Sequence, residues 1–194
     1  MKNIENYLKS VGKQFVKESR KILKSKGKGG GKLEKSIDAK VKKTSDGYSL
    51  QFFMEDYGTF VDKGVRGAGG TIKTGDHAGT WGGKRFYITW QGKKKQSPYK
   101  YGTGTGKSGG LTKGIGSFIK KKNLQPRSAG GQYMSPKGLR SAIVRVIWIK
   151  GIHGISFFQK PLGQAVNSIL DSDMLGAIKE DILEGLNQAG WTKE

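Results

Sequence analysis

Glycine and lysine dominate the sequence from Gly64 to Gly110, and apolar side chains are sparse there. This stretch constrains the fold more than any other part of the chain. A segment with little to bury cannot offset the conformational entropy lost on ordering it. No compact core is therefore expected in 64–110. Loops of such length without secondary structure of their own are functional, or disordered when alone. Within the stretch, "RFYITW" at 85–90 reads as a strand, most simply as part of a local hairpin. Apolar, periodic sequence flanks the excursion on both sides. The expected organisation is a single domain over 1–194 with an extended basic arm or loop at about 64–110, and 194 residues suffice for one real core.

The flanks have clear periods. Ile4, Tyr7, Leu8, Val11, Phe15 and Ile22 mark one face of a helix over 3–24, with lysines opposite. "KSKGKGGGK" ends it. Ile37, Ala39 and Val41 alternate with polar residues, "TSDG" signals a turn, and Tyr48, Leu50, Phe52 and Met54 alternate again. That pattern predicts a β-hairpin at about 33–54 with one apolar face. A short helix over 55–63 follows. After the excursion, Leu111, Ile115, Phe118 and Ile119 define a helix, and a second covers about 138–150. Pro161 opens a C-terminal helical region carrying Leu162, Ala165, Val166 and Ile169, continued by Leu175, Ile178, Ile182, Leu183 and Leu186. The fold class is α+β: a small antiparallel sheet packed with N- and C-terminal helices, and a long glycine/lysine-rich loop inserted.

Charge narrows the partners. The formal net charge is +21, yet between Asp76 and Asp171 no carboxylate side chain occurs. Residues 77–170 hold 17 Lys or Arg, whereas 171–194 carry a net −4. A uniformly cationic stretch repels itself and implies a polyanion or an acidic protein surface. Lys93, Lys94 and Lys95, Lys107, and Lys120, Lys121 and Lys122 are the candidate contacts. There is no cysteine, and His77 and His153 are the only histidines, so neither disulfides nor a thiolate or histidine-rich metal site is expected. No cofactor is expected. No apolar run approaches the roughly 20 residues that span a bilayer, and no signal peptide is read at the N-terminus. A soluble protein made in a cytoplasm is expected.

Two apparent chemistries fail on spacing. "GTGTGKS" ends like a phosphate-binding loop, but the position required to be the first glycine is Tyr101, and Gly102 leaves too short an interval. The preceding "SPYKY" is no buried strand. Nucleotide hydrolysis is not expected. The acidic residues cluster far from the centre of the sequence, so a catalytic carboxylate pair is hard to build. Asp56 reads as a helix cap and Asp62 as a partner of Lys63 or Arg66. Neither His77 nor His153, the latter in a glycine-rich turn, is assigned a catalytic role. The chain is not expected to be an enzyme.

Several segments occur in a familiar order. "GKLEKSIDAKVKKTSDGYSLQFFMEDYGTFVDKGVRG" resembles the hairpin-and-helix core of tailed-bacteriophage tail-completion, or neck, proteins, through Leu33, Ser36 and Ile37, then Tyr57, Gly58, Val61, Asp62 and Gly64. "SPYKYG", "IGSFIKKKNLQPR" and "IWIKGIHGISFFQKPLGQAV" resemble members with a long insertion and an aromatic-Pro segment, carried here by Phe157, Phe158, Pro161 and Leu162. The resemblance covers about two-thirds of the chain. It implies a virion protein forming a homo-oligomeric ring at the head–tail junction around the genome channel. Its implied partners are adjacent neck, portal-adaptor or tail rings, and genomic DNA, with no membrane. Its implied location is the virion neck or tail, after assembly in the host cytoplasm. The basic excursion suits either DNA or acidic neighbouring rings. The rival reading is a non-specific nucleic-acid-binding protein, nucleoid- or RNA-associated, which accounts for the charge but not for the order of segments or the acidic C-terminal helix.

Overall fold

A computed structural model describes residues 2–45, 47–73, 75–101, 110–125, 127, 131–133, 135–170 and 172–188. The fold is α+β. Its elements in chain order are α1 (Lys2–Ser25), α2 (Lys32–Ser36), β1 (Asp38–Thr44), β2 (Gly47–Phe53), α3 (Gly58–Lys63), β3 (Gly64–Arg66), β4 (Gly70–Ile72), β5 (Gly79–Trp81), β6 (Phe86–Ile88), β7 (Lys94–Gln96), α4 (Gly110–Lys121), α5 (Pro136–Lys150), β8 (Gly151–His153), α6 (Gln159–Ile169) and α7 (Ser172–Gln188). The strands form two-stranded sheets, β1-β2, β3-β8, β4-β5 and β6-β7. The chain divides into two compact units, 1–62 with 87–95 and 155–194, and 63–86 with 96–154.

The first unit holds the aromatic core. Leu8, Val11, Phe15, Ser19 and Leu23 run along the buried face of α1 at helical spacing. Phe15 meets Phe52 of β2 at 4.1 Å between ring centroids and Phe158 at 5.0 Å, the latter edge-on. Leu33, Ile37, Phe157 and Ala165 complete the cluster. The hairpin pairs antiparallel from Asp38↔Phe53 to Thr44↔Gly47, with Ala39 and Val41 turned inward. It starts later than expected, because Leu33 and Ser36 lie on the short helix α2. Ser36 then joins α2 to the exit of β2: its hydroxyl donates to the Leu33 carbonyl and accepts from the Glu55 amide.

α7 closes the other end of α1. Its buried Asp181 accepts from the amides of Asn3 at 3.1 Å and Ile4 at 3.0 Å, two of the donors that a helix N-terminus leaves without intrahelical partners. Burial pushes this carboxyl's pKa up. The Ile4 and Asn3 amides lead the opposing contributions, and the net direction is downward. A depressed folded-state pKa stabilises the fold above the unfolded carboxylate's pKa, and that contribution is lost as pH falls through the folded value. Asp181→Asn should therefore unfold at lower urea than the wild type above about pH 5, and the gap should close on acidification. Urea midpoints measured across pH check this. A gap independent of pH would mean that the amides are not held by charge.

In the second unit, β3 pairs antiparallel with β8, Gly64↔His153 to Arg66↔Gly151. His153, expected in a turn, is thus in a strand. Burial, then the charge of Arg85, holds its pKa below the ordinary imidazole value. Ser135 caps α5 by accepting from the Gly138 amide at 3.1 Å. Tyr101 packs against Trp148 of α5, and the Lys150 ammonium lies 3.5 Å from the centre of the Trp81 ring.

The expectation that 64–110 would lack a compact core does not hold for its described residues. Ile72, Tyr87 and Ser97 are buried, and short ribbons occupy much of the stretch. Residues 64–86 and 96–101 fall in the second unit with α4 and α5, while 87–95 belong to the first. The physical reason is that several glycines here serve close backbone packing. A Cβ on Gly67 would lie 2.1 Å from the Ile149 carbonyl oxygen. Backbone bonds such as Ala68 N–H to Trp148 C=O and Gly67 N–H to Gly83 C=O do work that apolar side chains do elsewhere. "RFYITW" does supply a hairpin strand, β6 pairing with β7.

Candidate polyanion-binding surface

Parts of two segments singled out from sequence, around Asp62 and Phe158, meet in one clasp in the first unit. α6 begins after Phe158, whose side chain offers no acceptor for the first amides of the helix. Asp62 supplies one from 96 residues upstream. Its Oδ1 accepts from the Phe158 amide at 2.7 Å and the Gln159 amide at 3.3 Å. Its backbone carbonyl accepts from Ser156, and that of Val61 from Ile155. Asp62 is only 1 % exposed. Its Oδ1 therefore caps a distant helix, a role that its spacing from Lys63 and Arg66 does not suggest. Asp56 offers its backbone carbonyl to the Thr59 hydroxyl at the start of α3, which begins at Gly58, later than expected.

Phe157 and Pro161 are fully buried beside this clasp, and Phe158 and Leu162 pack on the core. Pro161 lies in the first turn of α6, where its missing N–H costs no hydrogen bond. Gly58 sits against Leu33 and Met54, too close for a Cβ. Tyr57 is largely exposed. Gly64 opens β3 in the second unit with φ 73°. These positions build the framework of the first unit and the start of β3.

The lysines nominated as contacts fall in different units. Lys93, Lys94 and Lys95 are exposed on the 87–95 ribbon: the Thr89 amide donates to the Lys93 carbonyl at 2.8 Å to close the turn, and Lys94 and Lys95 follow on β7. The turn end of the ribbon is fixed: the Ile88 amide donates to Ser156 Oγ, and a Cβ on Gly163 of α6 would strike the Trp90 carbonyl at 2.2 Å. Lys120 and Lys121 end α4, and Lys122 follows it directly. Cations at a helix C-terminus are favourable in their own right, so this cluster is explained without a partner. Lys107 lies outside the described residues, as does nearly all of the "GTGTGKSGG" stretch.

The densest basic surface is one that sequence reasoning passed over. Lys9, Lys13, Lys17, Arg20, Lys21 and Lys24 share an arc of about 120° on α1, at 100° per residue. With β1 all of these but Lys9 bound an open groove of about 870 Å³, which Gly12, Val16, Ala39 and one carboxylate, Asp38, also line. Arg20 is committed to the fold, donating to the carbonyls of Glu34 and Ile37 at 3.1 and 2.9 Å. Lys21 and Lys24 have exposed ion pairs with Glu18 and Glu34, at 3.8 and 3.3 Å, worth little each. Lys13 and Lys17 have no carboxylate partner among the described residues. The signal was available: lysines four apart along one helix repel each other, so a run of them is unfavourable unless something anionic covers it.

Compared with protein families, characterised proteins and solved structures, the chain has no match. Among the described residues, no three His, Asp or Glu side chains are grouped to hold a metal, and no helix is long and apolar enough to cross a membrane. What the described surface offers chemically is cationic: a ribbon tip and a helix-lined groove suited to phosphates or carboxylates.

Proposed function

We propose that the chain is a structural subunit of a tailed-bacteriophage virion, forming a ring at the head–tail junction around the genome channel. The observation that carries the reading is the Asp62 clasp, which ties the two segments resembling tail-completion proteins into one core. The exposed lysines of the 87–95 ribbon then serve as contacts to an anionic neighbour, either genomic DNA or the acidic face of an adjacent ring.

Mass spectrometry of virions encoding this chain tests the reading, since a structural subunit is retained in purified particles at a fixed copy number. Reversing charge at Lys93, Lys94 and Lys95 should leave the subunit folded and impair head–tail joining or genome retention. If those lysines contact phosphate, the slope of log affinity for duplex DNA against log salt should also shrink by about 3. Fully infectious, DNA-filled particles from the reversed variant would reduce the ribbon tip to a solvated surface. The lysine arc on α1 favours a second reading, a non-specific nucleic-acid-binding protein. Absence from virions together with tight DNA binding would select it.

A further inference from the structure

The helix at the other end of the first unit is the groove's chemical complement. α7 turns Met174, Ile178 and the buried Asp181 towards its own subunit. Its outer surface carries Leu175 at 67 % exposure, Ile182 at 56 % and Leu183 at 44 %. At 100° per residue these three lie within an arc of about 100°, interrupted by the exposed Lys179 between Leu175 and Leu183, and Glu180, Asp173 and Glu184 follow on one side of it. An exposed apolar strip bordered by charge marks an interaction surface. The α1 groove has the reverse pattern, an apolar floor of Val16 and Ala39 with a rim that includes Lys13, Lys17, Lys21 and Lys24 and a single carboxylate, Asp38.

We propose that α7 of one subunit lies in the α1–β1 groove of the next, its apolar strip on the floor and its carboxylates against the lysine rim. The inference rests on the ring reading and names the contact that builds the ring. The dimensions agree: at 1.5 Å per residue, α7 is about 25 Å long and the Lys13–Lys24 edge about 17 Å. The occupant is a second copy and not nucleic acid, because a phosphate backbone would satisfy the lysines yet leave both the groove floor and the α7 strip uncovered. A contact between two different surfaces of one chain is head-to-tail, and such contacts close into rings or run on as filaments.

The test uses two variants of the full chain, Lys17→Glu with Lys21→Glu in the groove, and Ile182→Asp on α7. All three substituted side chains are exposed, so folding should survive, and circular dichroism checks that it does. By native mass spectrometry the wild type should form closed oligomers, and each variant alone should be monomeric. Mixed, the two should stop at a one-to-one dimer, because each pair retains one intact α7 and one intact groove. A monomeric wild type, a variant that assembles normally, or a mixture that stays monomeric overturns the proposal. So does a groove variant that assembles but loses duplex DNA binding. If ring formation survives these variants while the protein is found in virions, only this contact fails. If the dimer forms but virions lack the protein, only the location in the particle fails.

Discussion

Asp62→Ala should destabilise the first unit by about 3 kcal/mol, since it removes a charged acceptor and leaves buried amides at the start of α6 without a partner. The loss is large because Phe158, which follows the Asp62-bound Ser156, is the residue that meets both Phe15 and Phe52. A released helix start frees that ring. Asp62→Asn keeps an oxygen acceptor and should lose about half as much. Urea unfolding of the two variants beside the wild type measures both. Equal losses would mean that the volume of the side chain, and not its acceptor, holds α6.

Gly64→Ala should cost at least as much in the second unit. At φ 73° an alanine pays roughly 1–2 kcal/mol for the left-handed backbone alone. Its Cβ would also lie 2.4 Å from the Gly154 nitrogen and 2.5 Å from the Ile152 carbonyl oxygen, both backbone atoms that cannot swing aside. The β3-β8 pairing must open to admit it. Amide exchange at Val65 and Ile152 should accelerate strongly, while the Asn3 and Ile4 amides capped by Asp181 should stay protected. Unchanged exchange at Val65 would show that the strands tolerate the methyl group.

The helices and the first hairpin were legible because their signals are local. A 3.6-residue period located α1, and alternation located β1 and β2 to within a few residues. The functions of individual framework positions were not legible, because they depend on partners far along the chain. Asp62 has charged neighbours in sequence, yet its Oδ1 accepts from Phe158 and Gln159, 96 and 97 residues away. Gly67 looks like a flexible linker residue and is a packing residue against Ile149. The same limitation hid the groove. The lysines on α1 were seen as the outer side of an amphipathic helix, and only the approach of Ala39 on β1 turns that side into a concave surface. Triple lysines are conspicuous in a sequence, whereas residues four apart become neighbours only once the helix is drawn.

The aromatic core also has a history in time. Phe15 and Phe52 are synthesised early, and Phe157 and Phe158 about 100 residues later. At roughly 5–20 residues per second, a ribosome needs about 5–20 s to cover that distance. For that interval the side of Phe15 that Phe158 and α6 will cover faces water or whatever else is present. Every residue of the excursion lengthens that wait, so the reach gained by a long insertion is set against the exposure of the frame it interrupts.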